Sequence, residues 1–240
     1  VYRQWLRLDT NAMREAAAVV TISTPITQRI ARTRGIDSAK LHTIHDGYDA
    51  SRLSFSGANL FAAETNPEKK LVVQYAGNMG LSHPMDTIVA AARQLEGDAS
   101  VLFQFIGDGP QRVALKNGLP SNARLIDYQS ADRLGQVLAT ADVCLISQFE
   151  AMFDQAMPYK VYASLAAAKP VIFLGNDGSE IAQWVITHGA GVAVRQGDTT
   201  GLIGAIRGCT GEAGRTMVAA AQDLFDRSLQ SLFSAQSWLT

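Results

Sequence analysis

The sequence predicts an α/β fold, a doubly wound parallel sheet, and three observations predict it. From Leu71 onward six short apolar runs recur: LVVQYA, VLFQFI, ARLIDY, DVCLIS, PVIFL and GVAVR. Each is followed by a stretch whose apolar residues have helical spacing, and continuous apolar runs between amphipathic helices mark strands covered on both faces. Glycine-bearing turns follow the first two runs, Gly77-Asn78-Met79-Gly80 and Gly107-Asp108-Gly109-Pro110.

Taken in order, residues 1–53 predict a helix with Trp5, Leu8, Ala12 and Ala16 in line, a strand AVVTI, a Pro25-led helix to Arg34, and a strand LHTIH closing on DGYD. Two strands and two helices are too few to cover a sheet, so this segment reads as the end of a second α/β domain. Residues 54–70, with Gly57, Asn59, Asn66 and Pro67 and few apolar side chains, read as a linker. Residues 71–227 hold the βα units. Their helices carry apolar stripes: Met85, Ile88, Ala92 and Leu95; then Ile181, Trp184, Val185 and His188; then Met217, Val218, Ala221, Leu224 and Phe225. Residues 228–240, with Leu229, Leu232, Phe233 and Trp238, predict a terminal helix that packs back toward the junction. The chain opens on Val rather than Met, and further sequence is expected upstream.

At 240 residues, 47% hydrophobic, the chain can bury a full core. Its net charge of -1 lacks the basic excess that binding a phosphate backbone needs, so a nucleic-acid partner is not expected. The charge is uneven: residues 1–52 carry a net +3 and the remainder -4, which fits either an anionic membrane surface or a solvated helix face. No apolar run reaches the roughly 18 residues that cross a bilayer, and no leader precedes a cleavage site. A cytoplasmic protein is expected, either free or peripheral at the inner face of the plasma membrane. Cys144, inside an apolar strand, and Cys209, near a helix end, read as reduced core thiols.

In a doubly wound sheet, ligands sit beyond the carboxyl ends of the strands. The loop Gly77 to Gly80 has two readings that both stay open: glycines that let the backbone meet an anion at a helix start, or a tight turn with no ligand. In the second loop Asp108 suits a cap and Pro110 a helix start. Neither loop is GxGxxG, so no nicotinamide cofactor is indicated. The third candidate is the Pro158-led helix, after a loop with Glu150 and Asp154. Lys160 falls in its first turn, where a cation opposes the helix dipole unless an anion is held with it, and this misfit marks it as a phosphate ligand. The small residues Ala163, Ser164 and Ala166 to Ala168 fit close helix-to-sheet packing. His83 lies within reach of whatever the first loop holds, and His188 reads as a core or C-cap histidine. There is no HExxH, CxxC, DxD or GxSxG, and His42 and His45, three apart on a strand, turn to opposite faces, so no metal is expected.

Six pieces in this order resemble the family 4 retaining glycosyltransferases, whose two facing Rossmann-like domains form the GT-B fold, and above all bacterial members that build cell-surface polysaccharides. The pieces are AAAVVTISTPITQRIARTRGIDSAKLHTIHDGYDASRLSF, YAGNMGLSHPMDTIVAAARQL, FQFIGDGPQR, ADVCLIS, PYKVYASLAAAKPVI and GSEIAQWVITHGAGVAV. The resemblance implies a donor-binding C-terminal domain with a remnant of the acceptor-side domain. It implies a UDP-sugar or GDP-sugar donor, a lipid-linked or oligosaccharide acceptor, retention, and no cofactor or metal. Its diphosphate would rest on Gly77, Asn78, Met79 and Gly80 with Lys160 and His83; Ser179 and Glu180 would face the sugar or phosphates; Asp127, Tyr128 and Gln129 would edge the base, with Gly107, Asp108 and Glu150 in the vicinity. Catalytic residues would lie on the acceptor side, leaving this chain inactive alone.

The chain departs from the pattern at several positions. Asp46 replaces an Asn, Leu81 a frequent Arg, and Ala168 a Gly; Asn78 stands where many members keep another Arg, and Gln155 where a second Glu is common. Ala163 stands where the family has the Glu that takes the ribose hydroxyls, a gap that Glu150 or Asp154 is positioned in sequence to fill. These departures keep two further functions open: a non-catalytic partner or scaffold subunit, and a GT-B-like sugar-nucleotide epimerase.

Overall fold

The computed structural model of the chain describes residues 2–55 and 59–230. The first segment contains α1 (Tyr2–Glu15), β1 (Val19–Thr21), α2 (Thr24–Arg34) and β2 (Leu41–Thr43), with the two strands parallel and Val19 opposite Leu41. Pro25 opens α2, and Gly35 closes it in the left-handed region at φ 58°, a conformation that costs glycine least. The expected stripe on α1 finds no cover among the described residues: Trp5 is 67% and Leu8 62% exposed. Polar bonds hold this helix instead, from Arg34 to Leu6 O and from Lys40 to the carbonyls of Arg14 and Ala16. β2 ends at Thr43, so His45 lies beyond the strand and packs edge-on against Trp184.

The stretch read as a linker holds structure of its own. Asn59 accepts from Ala62 N and caps α3 (Leu60–Thr65), whose Phe61 is buried against Ile106 and Val137. One buried aromatic supplies no periodicity to read, but burying Phe61 is worth about 2–3 kcal/mol and holds the segment on the sheet. Residues 231–240, where most of the expected terminal helix falls, lie outside the described residues.

Thereafter strand and helix alternate: β3 (Leu71–Ala76), α4 (Asp86–Gln94), β4 (Val101–Ile106), α5 (Arg112–Lys116), β5 (Ala123–Ile126), α6 (Leu134–Thr140), β6 (Val143–Ser147), α7 (Lys160–Ala166), β7 (Val171–Leu174), α8 (Glu180–Thr187) and β8 (Gly191–Val194). Two further helices, α9 (Thr199–Gly208) and α10 (Gly211–Leu224), and a π-helical turn over Phe225–Leu229 complete the described chain. The six strands run parallel in the order β5-β4-β3-β6-β7-β8, the doubly wound sheet expected from the apolar runs.

Both faces of the sheet are covered. Met85, Ile88, Ala92 and Leu95 of the first stripe pack on one face with Val73, Phe103 and Leu145, while Tyr162, Ile181, Val185 and Leu224 pack on the other. Val218 is 40% exposed, and His188 is an exposed C-cap rather than a core residue. Cys144 and Cys209 are buried free thiols, as expected.

The strand order reverses between β3 and β6, and there the sheet opens. β3 pairs with β4 from Leu71 opposite Val101 to Ala76 opposite Ile106, yet meets β6 only at Val73 with Val143 and Gln74 with Cys144. Past those two rungs the strand ends part and leave a crevice at the topological switch point, where sheets of this kind take their ligands.

Candidate functional site

The crevice opens into a cavity of about 500 Å³ between the carboxyl ends of β3 and β6, α6 and the start of α7. Of the residues singled out from sequence, Gly77, Asn78, His83, Gly107, Tyr128, Gln129, Lys160 and Ala163 line it together. Met79, Gly80, Asp108, Asp127, Glu150, Ser179 and Glu180 do not.

The two glycine loops are brought side by side by the β3–β4 ladder, and much of their backbone is spent on each other. Gly77 N donates to Ile106 O, Met79 N to Asp108 O, and Gln111 N to Met79 O. A Cβ on Gly107 would stand 2.3 Å from Gly77 O, so that glycine is required by loop packing. Met79 points into the core, fully buried, and Asp108 folds back onto its own neighbour, Gly109 N. Of the four amides in the first loop, those of Asn78 and Gly80 are left without a partner among the described residues. The loop pairing occupies the amides of Gly77 and Met79.

Lys160 supplies the charge. Its ammonium lies 2.5 Å from the phenol oxygen of Tyr75 and 3.8 Å from the centre of that ring, and a Cβ on Gly77 would come within 3.5 Å of Nζ. The Tyr75 hydroxyl donates in turn to Asn78 O at 2.7 Å, so one strand residue splints the glycine loop to the α7 lysine. Burial pushes the lysine pKa down to about 7, because removal from water disfavours the cation and no carboxylate compensates. His83 Nδ1 sits 2.7 Å from Ser147 O, so this nitrogen donates and Nε2 is the one left for other partners. Burial lowers the His83 pKa, and the nearby Lys160 charge lowers it further.

Several expected ligands are occupied elsewhere. Asp127 pairs with Arg112, whose guanidinium also donates to the Gly107 and Ile126 carbonyls and ties the second glycine loop to the end of β5. Glu180 accepts from Thr24 N at 3.1 Å and Thr24 Oγ1 at 2.8 Å, with His45 Nε2 3.1 Å away, so it joins α8 to the first segment. Ser179 is buried at the start of α8. Asp154 is held by Arg29 and Arg32, each at 3.3 Å, and does not turn into the gap beside Ala163. Glu150 stands in a short 3-10 turn off the cavity wall. Two arginines a turn apart on α2 were visible in the sequence, but nothing local told that Asp154 would be their partner.

Sequence reasoning missed the apolar part of the wall, Tyr48, Leu134, Val137, Leu138, Met152 and Met157, and the splint Tyr75. The apolar run of β3 gives Tyr75 away only as a buried strand residue. Among the described residues no cluster of three His, Cys, Asp or Glu side chains has the geometry to hold a metal ion, and no helix is long and apolar enough to cross a membrane.

A family model described as "Glycosyl transferases group 1" matches residues 70–211. WbjE of Pseudomonas aeruginosa is 32% identical over 126 residues, 51% of this chain and 31% of that protein. WcaI of Escherichia coli (strain K12) is 26% identical over 147 residues, 59% of this chain and 36% of that protein. Both are named as candidate glycosyltransferases, the second for colanic acid biosynthesis. The matched region thus spans about a third of the length of these curated relatives. Among solved structures, HepE of Anabaena in complex with UDP superposes with a TM-score of 0.82 at 16% identity, over 100% of this chain and 67% of that one. At that identity the likeness is one of fold.

Proposed function

The chain belongs to the group 1 glycosyl transferases, and on that premise we propose that it is the donor-binding part of an enzyme that moves a sugar from a nucleoside diphosphate to a lipid-linked or polysaccharide acceptor, with retention and without a metal. The observation that carries this reading is the buried ammonium of Lys160, set against the glycine loop whose Asn78, with an unpartnered amide, lines the same cavity. A diphosphate placed there meets one cation and one N–H donor. As the glycosidic bond breaks, negative charge grows on the departing nucleoside diphosphate, and a preset cation and amide stabilise that charge more than they stabilise the bound donor. His83, when protonated, adds a second cationic donor through Nε2 while Nδ1 stays on Ser147 O. Tyr128 and Gln129, which line the same cavity, border the base in this reading.

In this reading residues 1–53 are the remainder of an acceptor-side domain, residues 71–227 the donor domain, and the acceptor and the catalytic groups facing it belong to the rest of the enzyme. Polysaccharide biosynthesis is the setting that the name of the colanic acid relative favours, and the inner face of the plasma membrane is the location that goes with this reading. Titration calorimetry with UDP, GDP and their sugars tests it: binding is expected, with negligible transfer to any acceptor by this chain alone. Ala163 on the cavity wall favours a second reading, a non-catalytic partner subunit, which predicts no heat with any nucleotide. Binding followed by conversion of the free sugar nucleotide, with no acceptor glycosylated, would instead mark an epimerase.

A further inference from the structure

We propose that Tyr48 and Tyr159 form a paired-phenol site for two adjacent hydroxyls of the ligand, an inference that rests on the nucleotide reading above and narrows it. The diol belongs either to the pentose of the nucleoside or to the sugar that is transferred, and the chemistry that recognises it is the same in both.

Both tyrosines line the cavity, and they come from different parts of the chain. Tyr48 follows β2 in the first segment and is fixed through its backbone, with Tyr48 N donating to Leu229 O at 2.9 Å. Tyr159 immediately precedes α7 and already has helical backbone angles, φ -57° and ψ -24°. The two ring centres are 6.1 Å apart. Tyr159 also packs on Tyr162 at 5.4 Å, and Tyr162 on Trp184 at 5.9 Å, so a row of rings holds the pair in place. Successive residues of a helix project about 100° apart. Lys160 accordingly turns to Tyr75 and Gly77 while Tyr159 turns to Tyr48, which sets the phenols beside the place of the anion rather than in it.

What singles these two phenols out is that their hydrogen bonds are unspent. The Tyr75 hydroxyl is committed to Lys160 and Asn78 O, and that of Tyr162 faces Met157 Sδ at 3.8 Å. No hydrogen bond among the described residues reaches the hydroxyl of Tyr48 or of Tyr159, although Tyr48 is only 7% exposed. Burial raises the Tyr48 pKa, and a charge on its neighbour Tyr159 would raise it further, so Tyr48 is a neutral phenol at pH 7. Such a group donates one hydrogen bond and accepts others, which is what an alcohol needs from its partner. No aspartate or glutamate lines the cavity among the described residues to take hydroxyls in the phenols' place. Two phenols on facing segments give two neighbouring alcohols one partner each. A ligand that reaches both also bridges the first segment to α7.

The test is calorimetry of the chain and of Tyr48→Phe and Tyr159→Phe, which keep the rings, with pyrophosphate, UDP, dUDP, UDP-glucose, GDP, dGDP and GDP-mannose. For whichever base binds, each variant is expected to weaken the nucleotide sugar by about threefold to tenfold and to leave pyrophosphate within about twofold. If the pentose supplies the diol, the loss is already present with UDP or GDP, and one of the two variants loses its effect on the 2′-deoxy form. If the transferred sugar supplies it, the loss appears only with the sugar nucleotide. No loss in either one of the variants overturns the inference, since a pair needs both, and leaves the nucleotide reading standing; this keeps it testable should the other variant fail to fold. An equal loss with pyrophosphate also overturns it, because the effect then falls on the anion and not on a diol. No heat from the unmodified chain with any nucleotide would overturn the nucleotide reading and the inference with it.

Discussion

Lys160 Nζ stands 2.5 Å from the hydroxyl of Tyr75, and that same hydroxyl reaches Asn78 O at 2.7 Å. One phenol therefore joins the helix that brings a cation to the loop that offers an amide. The cation and the loop come from segments more than 80 residues apart, and the phenol sets their spacing before any ligand arrives.

Removing only that oxygen tests the splint. In Tyr75→Phe the ring stays in the core, but Asn78 O and Lys160 each lose a partner. We expect a loss of about 1–3 kcal/mol in folding stability by urea denaturation and a several-fold fall in nucleotide affinity. Unchanged affinity with reduced stability would make Tyr75 a core residue only.

The burial of Lys160 fixes the sign of a pH effect. Its folded pKa lies near 7, below the unfolded value of 10.5, so the unfolded chain holds the extra proton across that interval. Stability from this group accordingly rises with pH between about 7 and 10.5, and below 7 the full cost of a buried cation is present. Lys160→Met should raise the melting temperature most at pH 6, by the equivalent of about 2 kcal/mol, while weakening nucleotide binding at least tenfold. For the unmodified chain, binding of a diphosphate at pH 8 should take up protons, because an anion restores the charged form. Calorimetry in buffers of different ionisation enthalpy reads that uptake directly.

Asp154 joins the two parts of the chain rather than the ligand. Asp154→Asn keeps the shape, removes the charge that faces Arg29 and Arg32, and is expected to cost about 1–2 kcal/mol of stability, less at high salt. Nucleotide affinity should not change. A fall in affinity without a fall in melting temperature would return Asp154 to the cavity.

Ala168 sits in the left-handed region at φ 53°, the position after the C-cap of α7. Lys169 N donates to Ser164 O and Ala168 N to Leu165 O, the bond pair of a Schellman end, which favours glycine at this point. Ala168→Gly should stabilise the chain by about 0.5–1 kcal/mol, after the larger entropy of the unfolded glycine is set against the relief of strain. Denaturant midpoints measured with equal slopes would check it.

The sequence by itself determined the sheet, since apolar runs and helical stripes are local patterns that burial on two faces imposes on any chain with this architecture. It also marked Lys160, because a cation in a first helical turn is an anomaly legible within four residues. Only the tertiary structure decided which side chains meet. Tyr75 and Lys160 are 85 positions apart, Arg29 and Asp154 125, and Thr24 and Glu180 156. No periodicity connects such pairs; they are set by the parting of β3 from β6 and by the crossings that fold the first segment onto α8. The same long-range pairings took Glu180 and Asp154 away from the cavity.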